Sequence, residues 1–236
     1  TLNSKFVGKS GMGPRGDAIL EADCCVGELL ANLEKRHMLE NTIIIFSSDN
    51  GPVLDDGYHD DAIEKLGNHK PAGDLRGGKY SLFDAGTHVP FFVYWKSNIK
   101  HKDSKALVCQ MDIMASIAAL INQPLKGEFD SQNILPALLG KSNKGRDELV
   151  VEANGKLAFR YQDWAMIPPY KGEKINMAGV EVGNLSDFNL YNLKKDISQK
   201  TDLSAKKASK LEKIKILFFE ATKGFYKKDV EEVELK

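Results

Sequence analysis

The sequence has no apolar run near the roughly 18 residues that a membrane-spanning helix needs, so nothing in it reads as a span. It has no net charge: 33 Lys and Arg stand against 33 Asp and Glu. That balance argues against nucleic acid as a partner, because such partners call for a basic surface. Cysteine is scarce. Cys24, Cys25 and Cys109 are an odd number, and adjacent cysteines do not form a disulfide framework, so at least one thiol is free and the redox compartment stays open. Internal repeats and low-complexity tracts are absent as well. The first residue is Thr1 rather than Met, and no signal-peptide pattern follows it. The chain therefore reads as a piece of a longer protein or as a mature form.

What is present is an ordinary globular composition. With 236 residues, 42% of them hydrophobic, the chain has enough for one large domain or for a domain with a smaller companion. Residues 1–16 are rich in Gly, Ser and Pro and read as loop. Ile19, Ala22, Val26, Leu29, Leu30 and Leu33 recur at three- and four-residue spacings and predict an amphipathic helix over 17–38. Asp17 suits the start of its dipole, Lys35, Arg36 and His37 its end, and Cys24 and Cys25 are expected to pack there as small side chains. Residues 39–48 (LENTIIIFSS) read as a strand buried on both faces, as in a parallel sheet, and 88–95 (HVPFFVYW) as a second buried strand. Helices are expected at 110–122 and, briefly, at 134–141. After about residue 142 the texture changes. Segments 148–153, 156–162, 163–169 and 188–193 read as a meander of strands, and roughly 203–226 as a helix with Leu211, Ile214, Leu217 and Phe218 on one face. The expected organisation is an α/β domain over 1–142 and a smaller α+β subdomain over 143–236, an antiparallel sheet with a helix across it.

Two stretches carry chemistry. The apolar run IIIFSS stops at Asp49-Asn50-Gly51-Pro52. Ligands of open α/β sheets bind beyond the carboxyl ends of strands, and Asp49 and Asn50 sit at such an end. Their hard oxygens suit Ca²⁺ or Mg²⁺ better than zinc; the same four residues also favour a plain turn. The second stretch is RGGKYSLFDAGTHVPFFVYW, 76–95. Gly77 and Gly78 let the backbone approach a ligand, and Lys79 adds a compact positive charge beside them, an arrangement that holds an oxyanion or makes a surface turn. The GKS at 8–10 is not a phosphate loop, because that motif needs glycine where Asn3 stands. The RGD at 15–17 reads as three common residues with no adhesive role.

Taken in order, a buried strand ending in Ser-Asp-Asn-Gly-Pro, then Arg-Gly-Gly-Lys-Tyr-Ser, then an acidic-Ala-Gly-Thr step into Val-Pro-Phe resembles the type I sulfatases of the alkaline phosphatase-like superfamily. GKSGMGPRGDAILEADCCVGELLANLE, MDIMASIAALIN with FDSQNILPALLGK, DWAMIPP and FNLYNLKKD extend the resemblance over about residues 5–230. It implies that Asp49 and Asn50 match the family's paired ligands for calcium. It implies that Lys79 contacts the sulfate oxygens and helps stabilise charge on the leaving group. His69, in GNHKPAG, falls in a loop that overhangs the family's pocket, where it either touches substrate or is a solvated loop histidine.

The sequence also departs from the family. The nucleophile there is a formylglycine made from Cys or Ser in Cys/Ser-x-Pro/Ala-x-Arg, and no cysteine or serine here begins such a motif. It belongs upstream, with two further metal-binding aspartates and a histidine that assists the leaving group. His88 stands where the family has Arg before Val-Pro, and Asp84-Ala85-Gly86 where it has Glu-Gly-Gly. The resemblance thus implies the C-terminal portion of an exported sulfatase acting on a sulfated glycan or other small sulfate ester. Its partner would be the N-terminal half of the same protein, and alone the chain is expected to bind Ca²⁺ weakly and to be inactive. A phosphatase or phosphodiesterase of the same superfamily and a non-catalytic binding scaffold are the alternatives; Asn50 favours the sulfatase, since a neutral amide suits calcium better than zinc.

Overall fold

Residues 148–192 alternate as an antiparallel sheet requires, and they form one in the computed structural model, which describes residues 2–58, 60–123 and 125–226. Strands β3 (Glu148–Ala153), β4 (Lys156–Tyr161), β5 (Trp164–Ile167) and β6 (Asn189–Asn192) pair in that order, each antiparallel to the next. The β3–β4 connection is Asn154-Gly155, with φ of 53° and 73°, the pair that a two-residue hairpin turn demands.

Side-chain alternation splits the sheet into two cores. Phe159, Met166 and Leu190 face one way and meet Leu211, Ile214 and Phe218 of the helix Ala208–Ala221. Ala158, Ala165, Ile167 and Tyr191 face the other way and meet Leu82 and Phe83. Each large side chain fully buried there, such as Phe83, Phe159, Met166, Ile167, Leu190, Ile214 and Phe218, contributes about 1.5–3 kcal/mol. Leu82 and Phe83 explain a departure from the expected boundary. Asp74–Thr87, expected with residues 1–142, belongs instead with Glu148–Asn176 and the described residues from Val180 onward, as the second of two compact units.

The first unit comprises the residues up to Gly73, His88–Asp147 and Met177–Gly179. It holds helix α1 (Gly13–Lys35), strands β1 (Ile44–Ser47) and β2 (Phe91–Tyr94), and helices α2 (Asp112–Leu120) and α3 (Leu135–Leu138); the helix of the second unit is therefore α4. The expectation of doubly buried, parallel strands is corrected here. β1 and β2 pair antiparallel, Ile44 opposite Tyr94 and Phe46 opposite Phe92. Only one face is covered: Phe91 and Val93 pack on Ile134, Ala137 and Leu138. On the other, Phe46, Phe92 and Tyr94 are 44%, 62% and 42% exposed. An all-apolar run thus marks two apolar faces, not two buried ones.

Helix α1 starts four residues before the expected position, with Pro in its first turn. Asp17 is buried and does not serve the helix dipole at all. Its carboxylate accepts the N–H groups of Ser10 (2.8 Å) and Gly8 (2.7 Å), folding the leading glycine-rich loop onto the helix. The amides that a phosphate-binding loop would offer its ligand are thereby occupied from within. Arg15, next to it, bonds Asp60, Asp56 and the carbonyl of Val53, each at 2.7 Å, so the RGD tripeptide is tied down. Cys24 is half-buried and Cys25 exposed, and all three thiols are free; the expected close packing of the pair is not found, because Asp17 is the one buried residue of α1. No helix among the described residues is long and apolar enough to cross a membrane.

The start of α2 is held by a buried ion pair. Arg146 donates from Nε and Nη2 to the two carboxylate oxygens of Asp112, both at 2.7 Å. Asp112 also accepts the N–H groups of Gln132 and Cys109, and Arg146 donates to the carbonyl of Asp130. The Asp112 carboxylate is fully buried and the Arg146 side chain 7% exposed.

Two outcomes are expected. Arg146→Ala leaves that carboxylate buried without its counter-charge and lowers unfolding stability by about 3–5 kcal/mol, read from urea denaturation; an unshifted midpoint would show the pair to be dispensable. The second concerns pH. The Asp17 carboxyl is held below its ordinary value of 3.8 by the hydrogen bonds from Ser10 and then from Gly8. A depressed folded-state value means stability that is present above the unfolded value and lost as pH falls through the folded one. Asp17→Asn should therefore melt lower than the native chain near pH 7, and the gap should close as pH falls below 3.8 and through the depressed folded-state value. A gap that stays constant over melting curves in this range contradicts the assignment.

Candidate functional site

β1 ends at Ser47, and the exit from the strand is pinned before the acidic turn begins. Gln110 donates from Nε2 to Ser47 Oγ (2.8 Å) and to the carbonyl of Ser48 (2.7 Å). The Ser48 hydroxyl lies 3.3 Å from Asp49 Oδ1 and 3.4 Å from the carbonyl of Asn50. Asn50 donates its NH₂ to the carbonyl of Gly51 at 3.0 Å, so its amide oxygen is the atom left to act as a ligand. Asp49 is exposed and Asn50 half-buried. Just beyond the turn, Arg15 takes the carbonyl of Val53 and the carboxylates of Asp56 and Asp60. Both sides of the Asp49-Asn50 turn are thus tied, by Gln110 before it and Arg15 after it. Neither residue stands out in the sequence, because each acts across many tens of positions.

As donors, Asp49 and Asn50 offer oxygen only, the type that calcium takes. They are few, since calcium takes roughly six to eight oxygens. Among the described residues, no group of three or more His, Cys, Asp or Glu side chains could hold a metal ion. His69 lies in the same unit, exposed, on a turn closed by its N–H to the carbonyl of Leu66 at 3.2 Å.

Lys79 belongs to the second unit, on the turn that leads into Leu82 and Phe83. Gly77 has a φ of 85°, and a Cβ there would lie 2.3 Å from Ser81 Oγ, so both conformation and space demand glycine. Tyr80 also adopts a positive φ of 73°, a conformation costing roughly 1–2 kcal/mol for a residue with a side chain. Ser81 closes the turn through its N–H to the carbonyl of Gly78 (3.0 Å). Lys79 is half-buried, its ammonium 5.2 Å from the Tyr80 ring. Arg76, three residues earlier, donates from Nε and Nη2 to Glu181 at 2.8 and 2.6 Å, and Asp84, just beyond, receives Arg160 at 2.6 Å. The adjacency of Arg76 to Gly-Gly-Lys is visible in the sequence, but Glu181 and Arg160 carry no sign of their role.

A protein-family model described as Sulfatase matches residues 4–123, half of the chain. An N-acetylgalactosamine-6-O-sulfatase of Bacteroides thetaiotaomicron is 44% identical over 204 residues, which are 85% of this chain and 40% of that protein. Human arylsulfatase A is 30% identical over 145 residues, 61% of this chain and 27% of that protein. A solved protein from the locus for glycosaminoglycan metabolism in Bacteroides thetaiotaomicron superposes with a TM-score of 0.90 at 41% identity, covering 93% of this chain and 47% of that one. The chain therefore spans less than half the length of the relatives it matches. The α/β fold is alkaline phosphatase-like, with the α4-covered antiparallel sheet as its α+β part. With the family's model matched over half its length and the Asp-Asn strand exit inside that match, the chain belongs to the sulfatase family.

Proposed function

We propose that this chain is the C-terminal part of an exported, calcium-dependent sulfatase, a hydrolase of sulfate esters. Asp49 and Asn50 would supply two of the metal's oxygens and Lys79 would bind the sulfate. The observation that carries the reading is the strand exit: a carboxylate and an amide oxygen side by side, on a turn tied down by Gln110 and Arg15.

Formylglycine and calcium would supply the nucleophilic oxygen and the positive charge on the sulfate. What this chain adds is orientation. Asp49 and Asn50 would hold the metal through their oxygens, and Lys79 would set a compact ammonium against oxygens that gain charge as the ester bond breaks, the use of preorganised charge that lowers barriers most. His69, exposed on its loop, would touch the sugar rather than the sulfate. The formylglycine, the other metal ligands and the leaving-group histidine would come from the N-terminal half of the same protein. The uncovered face of β1–β2, with Phe46, Phe92 and Tyr94 exposed side by side, supports such a covering partner, since exposed apolar patches mark interfaces. The substrate class we infer is a 6-sulfated amino sugar of a glycosaminoglycan, on the strength of the relative at 44% identity.

The test uses the full-length gene product, matured in a cell that makes formylglycine. Sulfate release from N-acetylgalactosamine 6-sulfate and from 4-nitrophenyl sulfate, with 4-nitrophenyl phosphate as control, is measured with and without Ca²⁺. Calcium-dependent sulfate release is expected, falling about a hundredfold or more in Asn50→Ala and in Lys79→Ala, the usual cost of one charge-stabilising contact. Phosphate cleavage indifferent to Ca²⁺ would overturn the sulfatase reading in favour of a phosphatase. Turnover of 4-nitrophenyl sulfate without the sugar sulfate would remove only the substrate class.

A further inference from the structure

We infer that Arg76, Glu181 and Gln199 form a positioning device for Lys79, fixing the backbone from which its ammonium meets the sulfate. The inference rests on the reading of Lys79 given above.

Lysine is a point charge on a flexible four-carbon stem. Such a group cannot orient itself, so accuracy has to come from the main chain beneath it. Here the main chain is held on both sides of Lys79 by the same two distant segments. Glu181 is the first. Its carboxylate takes the Arg76 fork through Nε (2.8 Å) and Nη2 (2.6 Å), while its carbonyl accepts the Ser81 hydroxyl at 2.6 Å. The neighbouring carbonyl of Val182 accepts the N–H of Leu82 at 3.0 Å. Gln199 is the second. Its carbonyl takes the remaining Arg76 nitrogen, Nη1, and its side-chain oxygen accepts the N–H of Asp84 at 2.7 Å. The loop closes on itself where the N–H of Ala85 meets the carbonyl of Arg76 at 3.0 Å. Beneath it the guanidinium of Arg76 lies 3.8 Å from the centre of the Phe83 ring, which is buried in the core.

Burial separates orientation from stability as the purpose of the fork. The Arg76 and Glu181 side chains are 27% and 38% exposed. An ion pair with that much access to water adds less to folding than a buried one. A two-pronged guanidinium–carboxylate bond does, however, fix direction as well as distance. Each of the three Arg76 nitrogens donates to a partner within the fold, Glu181 or Gln199, which assigns its part to holding the loop. Glu181 and Gln199 lie about a hundred residues or more along the chain from the loop they hold, which makes the C-terminal part of the second unit the setter of the lysine's position.

The test is a double-mutant cycle on kcat/KM for sulfate ester hydrolysis by the full-length enzyme, pairing Glu181→Gln with Lys79→Ala. Glu181→Gln keeps the size of the side chain and removes its charge. Alone it should lower kcat/KM roughly ten- to a hundredfold, the penalty for displacing a reacting group by a fraction of an ångström to one. In the Lys79→Ala background the same change should cost less than about twofold, because there is no ammonium left to misplace. A structural role alone would give the same factor in both backgrounds, and that result overturns the inference, as does full activity of Glu181→Gln. If Lys79→Ala itself retains full activity, the sulfate-binding reading of Lys79 fails instead, and the two failures are distinct. Should Glu181→Gln not fold, Arg76→Lys keeps the charge, loses the fork and is judged by the same cycle.

Discussion

A sheet with apolar side chains on both faces gains stability only from the faces that are covered. In the second unit α4 covers one face, and no second helix is present among the described residues to cover the other. The loop Asp74–Thr87 does so, by sinking Leu82 and Phe83 between Ala158, Ile167 and Tyr191. A segment that in the sequence lies between the two strands of the first unit therefore becomes a wall of the second. Everything said of Lys79 follows from this. Its turn is the part of that wall left half-exposed, and its backbone is as fixed as the core beneath it.

The arginines of the two units show how exposure changes what one kind of bond does. Arg146 and Asp112 are buried, and their pairing is obligatory because an isolated charge there would be far too costly. Arg160 and Asp84 are intermediate, at 22% and 10% exposed. Arg76 and Glu181 stand nearer to water, where the same fork stabilises less than the buried pair and still fixes direction. Burial also raises the Tyr191 phenol to about 12, so it stays neutral beside these charges, and the nearby Arg76 offsets only part of that rise. Gln199 is buried with its Nε2 unpartnered, and Arg160 Nε is likewise, so the polar lining under the loop has donor capacity beyond the bonds that hold it.

The first unit is built differently. Among the described residues its strands are two, its core is one small cluster around Ile134, Ala137 and Leu138, and much of its apolar surface faces outward. The chain spans 40% of the curated relative that it matches at 44% identity. Two expectations about β1 and β2 failed together, the parallel pairing and the burial of both faces. Apolar composition reports what a residue would bury against if a neighbour were there; it does not supply the neighbour.

Much of this protein was legible in the sequence, for reasons local to the chain. Period-two alternation and the Asn154-Gly155 turn determined the antiparallel meander. The spacing of Leu211, Ile214 and Phe218 determined the face that α4 buries. Asp49-Asn50 after IIIFSS and Lys79 after Gly77-Gly78 marked the candidate site, and their order marked the family. The tertiary structure alone decided what lies far apart in the chain. It joined Arg76 to Glu181 and Gln199, set Gln110 against the strand exit, turned Asp17 inward to hold its own loop, and moved Asp74–Thr87 to the other unit. Charged and amide side chains have no periodicity, so a partner a hundred residues away leaves no mark beside them. Side-chain pattern reports which face of an element is apolar, and only folding determines what comes to cover it.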